Sequence, residues 1–231
     1  MGLEDNMNTY DLSSNTEIEM GEKHTWEEKI DLGDKEFNEW LEKHVKDPEK
    51  FIGVGGAGKV FRLDNQCIKM MINRHNQPGS DKYNLGNTAQ KEANIQAHLS
   101  DLVVDGVYCP KVVGFYEGEK NCAIVMEELD AVNMQLVLNG KEELPKGFDN
   151  DIFFERLEDY LSEMHERGVV HKDLDPRNIM IDINTGLPRV IDFGRADIDT
   201  EKSEGFEMRC LKDFDKVDAA LEKMEEFIDK R

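Results

Sequence analysis

The chain has 231 residues, enough for one sizeable core or for two lobes sharing a cleft. Hydrophobic residues make up 39%, which supports a folded protein, while 50 Asp and Glu against 29 Lys and Arg give a net charge of −21. That balance argues against nucleic acid as a general partner, because neutralising phosphates takes an excess of Lys and Arg.

The acid excess is uneven. Residues 1–50 carry 15 Asp and Glu against 6 Lys and Arg, a local net of −9. Such a run reads as a solvated surface or, more sharply, as a docking tail for a basic partner. Cys67, Cys109, Cys122 and Cys210 form no C-x-x-C pair. They read as small apolar residues in a reducing compartment. No apolar run approaches the ~18 residues of a membrane span. The N-terminus lacks the basic-then-apolar order of a secretory signal, and Asn6 stands where N-myristoylation needs Ser or Thr.

In chain order, residues 1–24 are polar and aperiodic, which predicts disorder. Trp26, Ile30, Phe37, Trp40, Leu41 and Val45 then recur at loosely helical spacing, giving a helical extension over 25–48, broken near Gly33 and stopped before Pro48. From residue 50 the period is two. Phe51–Val54, Lys59–Leu63 and Gln66–Met71 read as strands, with Asp64-Asn65 a tight turn. Asn73 to Asn87 is a polar loop. A helix follows from Thr88 to Leu99, and two more strands cover Val112–Tyr116 and Ala123–Leu129. Residues 49–129 thus form a first unit of five strands and one helix.

After Leu129 the pattern turns helical. Phe153, Leu157, Tyr160, Leu161 and Met164 form a stripe on a helix that Gly168 ends. Ile179–Ile183 and Leu187–Ile191 read as a hairpin closed by the three residues Asn184-Thr185-Gly186. Pairing Ile183 with Leu187 sets Asn178 roughly opposite Asp192. Last, Phe214, Val217, Leu221, Met224 and Ile228 define an amphipathic helix. The fold class is α+β, with a second unit over 130–231.

Three features carry chemistry. Gly53-Val54-Gly55-Gly56-Ala57-Gly58-Lys59-Val60 contains G-x-G-x-x-G. No helix follows it, so it belongs to a hairpin whose backbone N–H groups can cover phosphates, or it is a set of turn glycines. Lys69 interrupts an apolar strand. It is either a rim lysine or a buried one that meets phosphate and needs an acidic partner, which Glu92 on the next helix can supply. Asn178 and Asp192 offer two oxygen ligands of the kind Mg²⁺ takes alongside substrate phosphates, and Asp173 lies on the loop leading into them.

These motifs together resemble the eukaryotic-type protein-kinase superfamily. The glycine run is similar to G-x-G-x-x-G-x-V, and Gln66-Cys67-Ile68-Lys69 to V-A-I-K. His171 to Asn178 is similar to H-R-D-L-x-x-x-N, and Asp192-Phe193-Gly194 matches D-F-G. The resemblance implies a bilobal kinase-like fold with a five-stranded N-lobe and a truncated, mainly helical C-lobe. It implies ATP and Mg²⁺ as cofactors and a protein hydroxyl, Ser or Thr, as acceptor. Gly53, Val54, Gly55, Gly56, Ala57, Gly58 and Val60 would cover the nucleotide, and Lys69 would hold the α- and β-phosphates with Glu92 as its partner. Met126, Glu127 and Leu129, with Glu128, would line the adenine. Asp173 would receive the hydroxyl proton, Asn178 and Asp192 would hold the metal, and His171 would be structural.

Departures from the pattern shape the expectation. Lys172 replaces Arg, and Asp175 stands where serine/threonine kinases usually carry Lys. Arg177, four residues after Asp173, resembles instead the arrangement of many tyrosine kinases; a cation there could still reach the γ-phosphate, which leaves the choice between Ser/Thr and Tyr hydroxyls open. Only 37 residues follow Gly194, without A-P-E. That resembles minimal microbial kinases, including effectors that bacteria deliver into host cells, so the expected location is cytoplasmic or exported. Two other readings stay open: a small-molecule phosphotransferase like the aminoglycoside or choline kinases, and a nucleotide-binding pseudokinase that docks a partner through its acidic N-terminus.

Overall fold

The computed structural model describes residues 35, 39, 42–43, 48–54, 58–63, 65–72, 89–117 and 121–230. The disorder expected over 1–24, the helical spacing from Trp26 to Val45, the loop 73–87, and Gly55, Gly56 and Ala57 lie outside them. Two compact units emerge: Met1–Ala97 with Lys111–Glu128, and His98–Pro110 with Leu129–Arg231.

The first unit is built on an antiparallel sheet. Its strands are β1 (Phe51–Val54), β2 (Lys59–Leu63), β3 (Gln66–Ile72), β4 (Val112–Glu117) and β5 (Asn121–Glu127), in the order β1-β2-β3-β5-β4. β3 is central, and the consecutive residues Cys67, Ile68 and Lys69 are all buried, as a strand flanked on both edges and covered on both faces allows: Lys69 pairs with Val60 on one side and Ile124 on the other. β4 alternates buried and half-buried residues, as a strand with one core face must. Helix α1 (Ala89–His98) supplies Ala93 to a cluster with Met71, Val112 and Ile124, against which Met126 and Phe115 pack.

One glycine is imposed by this sheet. A Cβ on Gly58 would lie 2.3 Å from the Met70 carbonyl oxygen and 2.8 Å from Met71 Cγ, so β3 leaves no room for a side chain there. Gly53 has nothing within 4 Å of the equivalent position.

In the second unit, β6 (Ala131–Asn133) leads into the short helix α2 (Met134–Leu138), and α3 spans Asn150–Glu166. The Asp149 side chain caps α3 by accepting from the Ile152 N–H. All five residues of the sequence stripe on α3, from Phe153 to Met164, are fully buried. Gly168, at φ +78°, ends that region. β7 (Val169–Val170), β8 (Ile179–Asp182), β9 (Pro188–Val190) and β10 (Asp197–Ile198) follow, and α4 covers Phe206–Asp229. β6, β8 and β9 form one small sheet and β7 and β10 another. The helical pattern after Leu129 did not reveal β6, β7 or β10, because strands of two or three residues carry no readable period.

The hairpin register differs from the sequence reading by one residue. Asp182, not Ile183, closes the ladder: its N–H donates to the Leu187 carbonyl, and Ile181 pairs with Pro188. The cause is the Asp182 carboxylate, which accepts from the N–H groups of Asn184 and Thr185 and from the Thr185 hydroxyl at 2.9–3.0 Å. Gly186, at φ +71°, completes a four-residue turn. Asn178 consequently bonds Ile191, through its carbonyl at 3.0 Å, rather than facing Asp192.

The stripe on α4 also turns by about one residue. The buried positions are Phe206, Asp213, Val217, Ala220 and Met224, while Ile228 is exposed. Asp213 sits on the apolar face because three donors meet it there, as described below.

No helix among the described residues is long and apolar enough to cross a membrane.

Candidate active site

The first unit holds one half of the candidate residues. Lys69 on β3 and Glu92 on α1 form an ion pair at 2.5 Å, with side-chain exposures of 8% and 3%. Of the two sequence readings of Lys69, the buried one is what the fold contains. A buried pair repays its desolvation only when geometry is tight, so α1 and β3 must hold their spacing. In the same sheet Gly53 pairs with Val60, and Val54 is well exposed. Met126 accepts a weak hydrogen bond from Gln96 Nε2 at 3.7 Å. The Glu127 N–H donates to the Lys111 carbonyl at 2.9 Å, and Glu128 pairs with Arg62 at 2.6 Å.

Leu129, half-buried, is the first residue of the chain's return to the second unit, which holds the other half. There β7 delivers His171 and the loop up to Asn178. Asn178 is buried, and its Nδ2 donates to the Asp173 carbonyl at 2.7 Å and to the Asp173 carboxylate at 3.3 Å. That spends the amide nitrogen and leaves Oδ1 as the atom that could ligate a metal. Asp192 takes a left-handed backbone conformation, φ +64°, and its carboxylate accepts from the Gly194 N–H at 3.3 Å. Left-handed backbone suits Asp better than most residues and here breaks β9 off at the D-F-G segment. An amide oxygen and a carboxylate are hard donors of the kind Mg²⁺ accepts, so this donor set fits that ion.

His171 is fully buried. A carbonyl can only accept, so the 3.1 Å contact between His171 Nε2 and the Ile191 oxygen makes Nε2 the protonated nitrogen. Nδ1 is then an acceptor for the Asp173 N–H at 3.4 Å. Burial pushes this imidazole below its ordinary pKa, against the opposing pull of Asp213. His171 is therefore a neutral strut between the loop and β9, and its ring packs on Phe193 with centroids 4.9 Å apart.

Cations flank the loop. Arg177 grips Asp175 through Nε, at 2.9 and 3.1 Å, and through NH2. This guanidinium holds the Asp175 carboxyl below the usual range. Arg195 NH1 lies 3.5 Å from the Asp173 carboxylate, and Lys172 lies 3.6 Å from Asp197.

Sequence reasoning missed two participants. Asp213 on α4 accepts the backbone N–H groups of His171 and Lys172, both at 2.8 Å, and His165 Nε2 at 3.1 Å. A carboxylate four residues before Val217 on a buried stripe was the available signal. Arg195 was the other, adjacent to D-F-G but without a motif of its own.

Comparison with known proteins gives a consistent result. The family model described as "Protein kinase domain" matches residues 47–214. The chain is 25% identical over 153 residues to serine/threonine-protein kinase D of Synechocystis sp., covering 63% of this chain and 29% of that protein. It is 30% identical over 165 residues to serine/threonine-protein kinase pkn3 of Myxococcus xanthus, covering 68% and 29%. It is 28% identical over 151 residues to an Aurora kinase of Eremothecium gossypii, covering 63% and 38%. The matched region thus spans only about a third of these relatives' length.

Proposed function

From the premise that the chain belongs to the protein kinase domain family, we propose that it transfers the γ-phosphoryl group of ATP to a protein hydroxyl, Ser or Thr, with Mg²⁺. The observation that carries this reading is the Asn178–Asp173 contact, which ties a metal-ligating amide to a carboxylate suited to a hydroxyl proton. The serine/threonine names of the relatives support the acceptor class.

Phosphoryl transfer asks a protein for positioning and charge neutralisation more than for covalent chemistry. In this reading Lys69, fixed by Glu92, holds the α- and β-phosphates, and the backbone from Gly53 to Gly58 with Val60 covers the nucleotide. Met126, Glu127 and Leu129 receive the adenine. Asn178 and Asp192 hold Mg²⁺, which when bound neutralises the phosphate oxygens. Asp173 orients the incoming hydroxyl and takes its proton as the oxygen–phosphorus bond forms and ADP departs. Asp213 keeps the backbone of this loop in place through His171 and Lys172. Arg177 is committed to Asp175, so a role on the γ-phosphate requires that pair to open.

Calorimetric titration with ATP tests the metal half of the reading. Affinity should rise when Mg²⁺ is added to the native chain, and Asp192→Ala should abolish that rise while leaving metal-free binding unchanged. ATP binding indifferent to Mg²⁺ in the native chain contradicts it.

A further inference from the structure

We propose that Asp175 is a specificity-determining residue at the nucleotide site: it holds Arg177 in a latch that a third phosphate opens and a diphosphate leaves closed. The place of the phosphates rests on the kinase reading; the latch itself does not. Asp175 and the groups around it belong to the second unit. The carboxylate is also this chain's own, since it stands where the resembling motif carries a lysine or a neutral residue.

The guanidinium meets the carboxylate side-on. Arg177 Nε lies 2.9 Å from Asp175 Oδ1 and 3.1 Å from Oδ2, and NH2 also bonds Oδ2. The backbone beneath is fixed by other contacts. The Arg177 N–H donates to Asp175 Oδ1 at 2.9 Å, and the Arg177 carbonyl accepts Asn133 Nδ2 at 2.7 Å. A change of partner therefore needs only rotation of the arginine side chain. That side chain is 67% exposed, so water screens the pair and keeps it weak enough to exchange.

Arg177 lies within electrostatic reach of the Asp173 and Asp192 carboxylates, where the reading places the metal and the γ-phosphate. A terminal phosphate carries more charge than a carboxylate and takes the guanidinium fork equally well. The neighbouring cations are turned to carboxylates too, Lys172 to Asp197 and Arg195 to Asp173. Once Arg177 has turned away, Asp175 still has a cation in range, because Lys216 on α4 also acts on its charge. ADP ends at the β-phosphate, which the reading assigns to Lys69, so it offers Arg177 no competing anion. The triphosphate must break the Asp175 pair to bind in full, and the diphosphate need not. Asp175 thus lowers the affinity for ATP and leaves that for ADP unaltered.

Calorimetric titration of the full chain with the β,γ-imido analogue of ATP, and separately with ADP, both with Mg²⁺, tests the latch without turnover. Asp175→Asn keeps an acceptor for the Arg177 N–H and removes the charge that grips the guanidinium. It should tighten the triphosphate analogue about threefold, the scale of an exposed ion pair, and leave ADP unchanged. Arg177→Met should weaken the analogue and leave ADP unchanged. Asp175→Asn added to Arg177→Met should then have no further effect on either ligand. An analogue-to-ADP affinity ratio unaltered by Asp175→Asn would overturn the latch, and so would a shift that persists without Arg177 or that moves both nucleotides alike. Those results leave Mg²⁺-dependent binding to the native chain intact; failure of the native chain to bind the analogue would overturn the kinase reading and the latch with it.

Discussion

The Asp213 carboxylate of α4 accepts the backbone N–H of His171 at 2.8 Å, joining the last long helix to the loop that carries Asp173 and Asn178. The same group accepts from Lys172 and His165, so three donors converge on one fully buried side chain. Replacing it with asparagine substitutes a neutral acceptor and turns an NH₂ group toward donors. Asp213→Asn should cost about 3 kcal/mol of unfolding free energy, the scale of hydrogen bonds to a buried charge. Urea denaturation measures this; a loss under about 0.5 kcal/mol would show that the anchor is dispensable.

The Lys69–Glu92 pair makes a non-additive prediction. Lys69→Met or Glu92→Gln alone strands a charge or a polar partner in the sheet's interior and should destabilise by about 3–5 kcal/mol. Lys69→Met combined with Glu92→Leu should recover most of that loss, because it removes both buried charges. Simple additivity in denaturant midpoints would contradict a coupled pair.

Much of this arrangement was legible beforehand, for reasons specific to each residue. Lys69 stood out because a charge in an apolar strand is costly, and Glu92 because the next helix could supply the acid that a buried lysine needs. The α3 stripe was visible because five large apolar residues keep one face over about three turns. The hairpin register was misplaced because Asp182 acts as a turn cap, and its side-chain bonds are invisible to hydrophobic alternation. Asp213 was hidden for a related reason: an acid on a buried stripe reads as a break in the pattern until its donors, on a distant loop, are in view.

His171 predicts a pH dependence with a definite sign. Its folded pKa is depressed by burial, so the unfolded chain takes up a proton first as pH falls below the ordinary value of ~6.5. Stability is therefore full above that value and declines on acidification toward the folded pKa. The half-buried His98, whose pKa desolvation also lowers, contributes with the same sign. The urea midpoint should fall between pH 7.5 and pH 5.5, and His171→Gln should shallow the dependence; a midpoint rising on acidification would contradict the buried, neutral imidazole.

Gly53 and Gly58, the glycines of the G-x-G-x-x-G run with described surroundings, should behave differently. Gly58→Ala drives a methyl into the Met70 carbonyl and should cost about 1–3 kcal/mol. Gly53→Ala meets open space and should change stability by no more than about 0.5 kcal/mol. Thermal unfolding of both variants separates a structural glycine from one whose role, if any, is toward a ligand.

The most direct test of the kinase reading is phosphoryl transfer itself. The purified chain is incubated with γ-labelled ATP, Mg²⁺ and a mixture of cellular proteins, and the label is located by mass spectrometry. The account predicts label on serine or threonine, lost on chelation of Mg²⁺, reduced about 10²–10⁴-fold by Asp173→Asn and similarly by Asp192→Ala. Absence of label from every protein in the mixture, or transfer that survives Asp192→Ala unchanged, would contradict it.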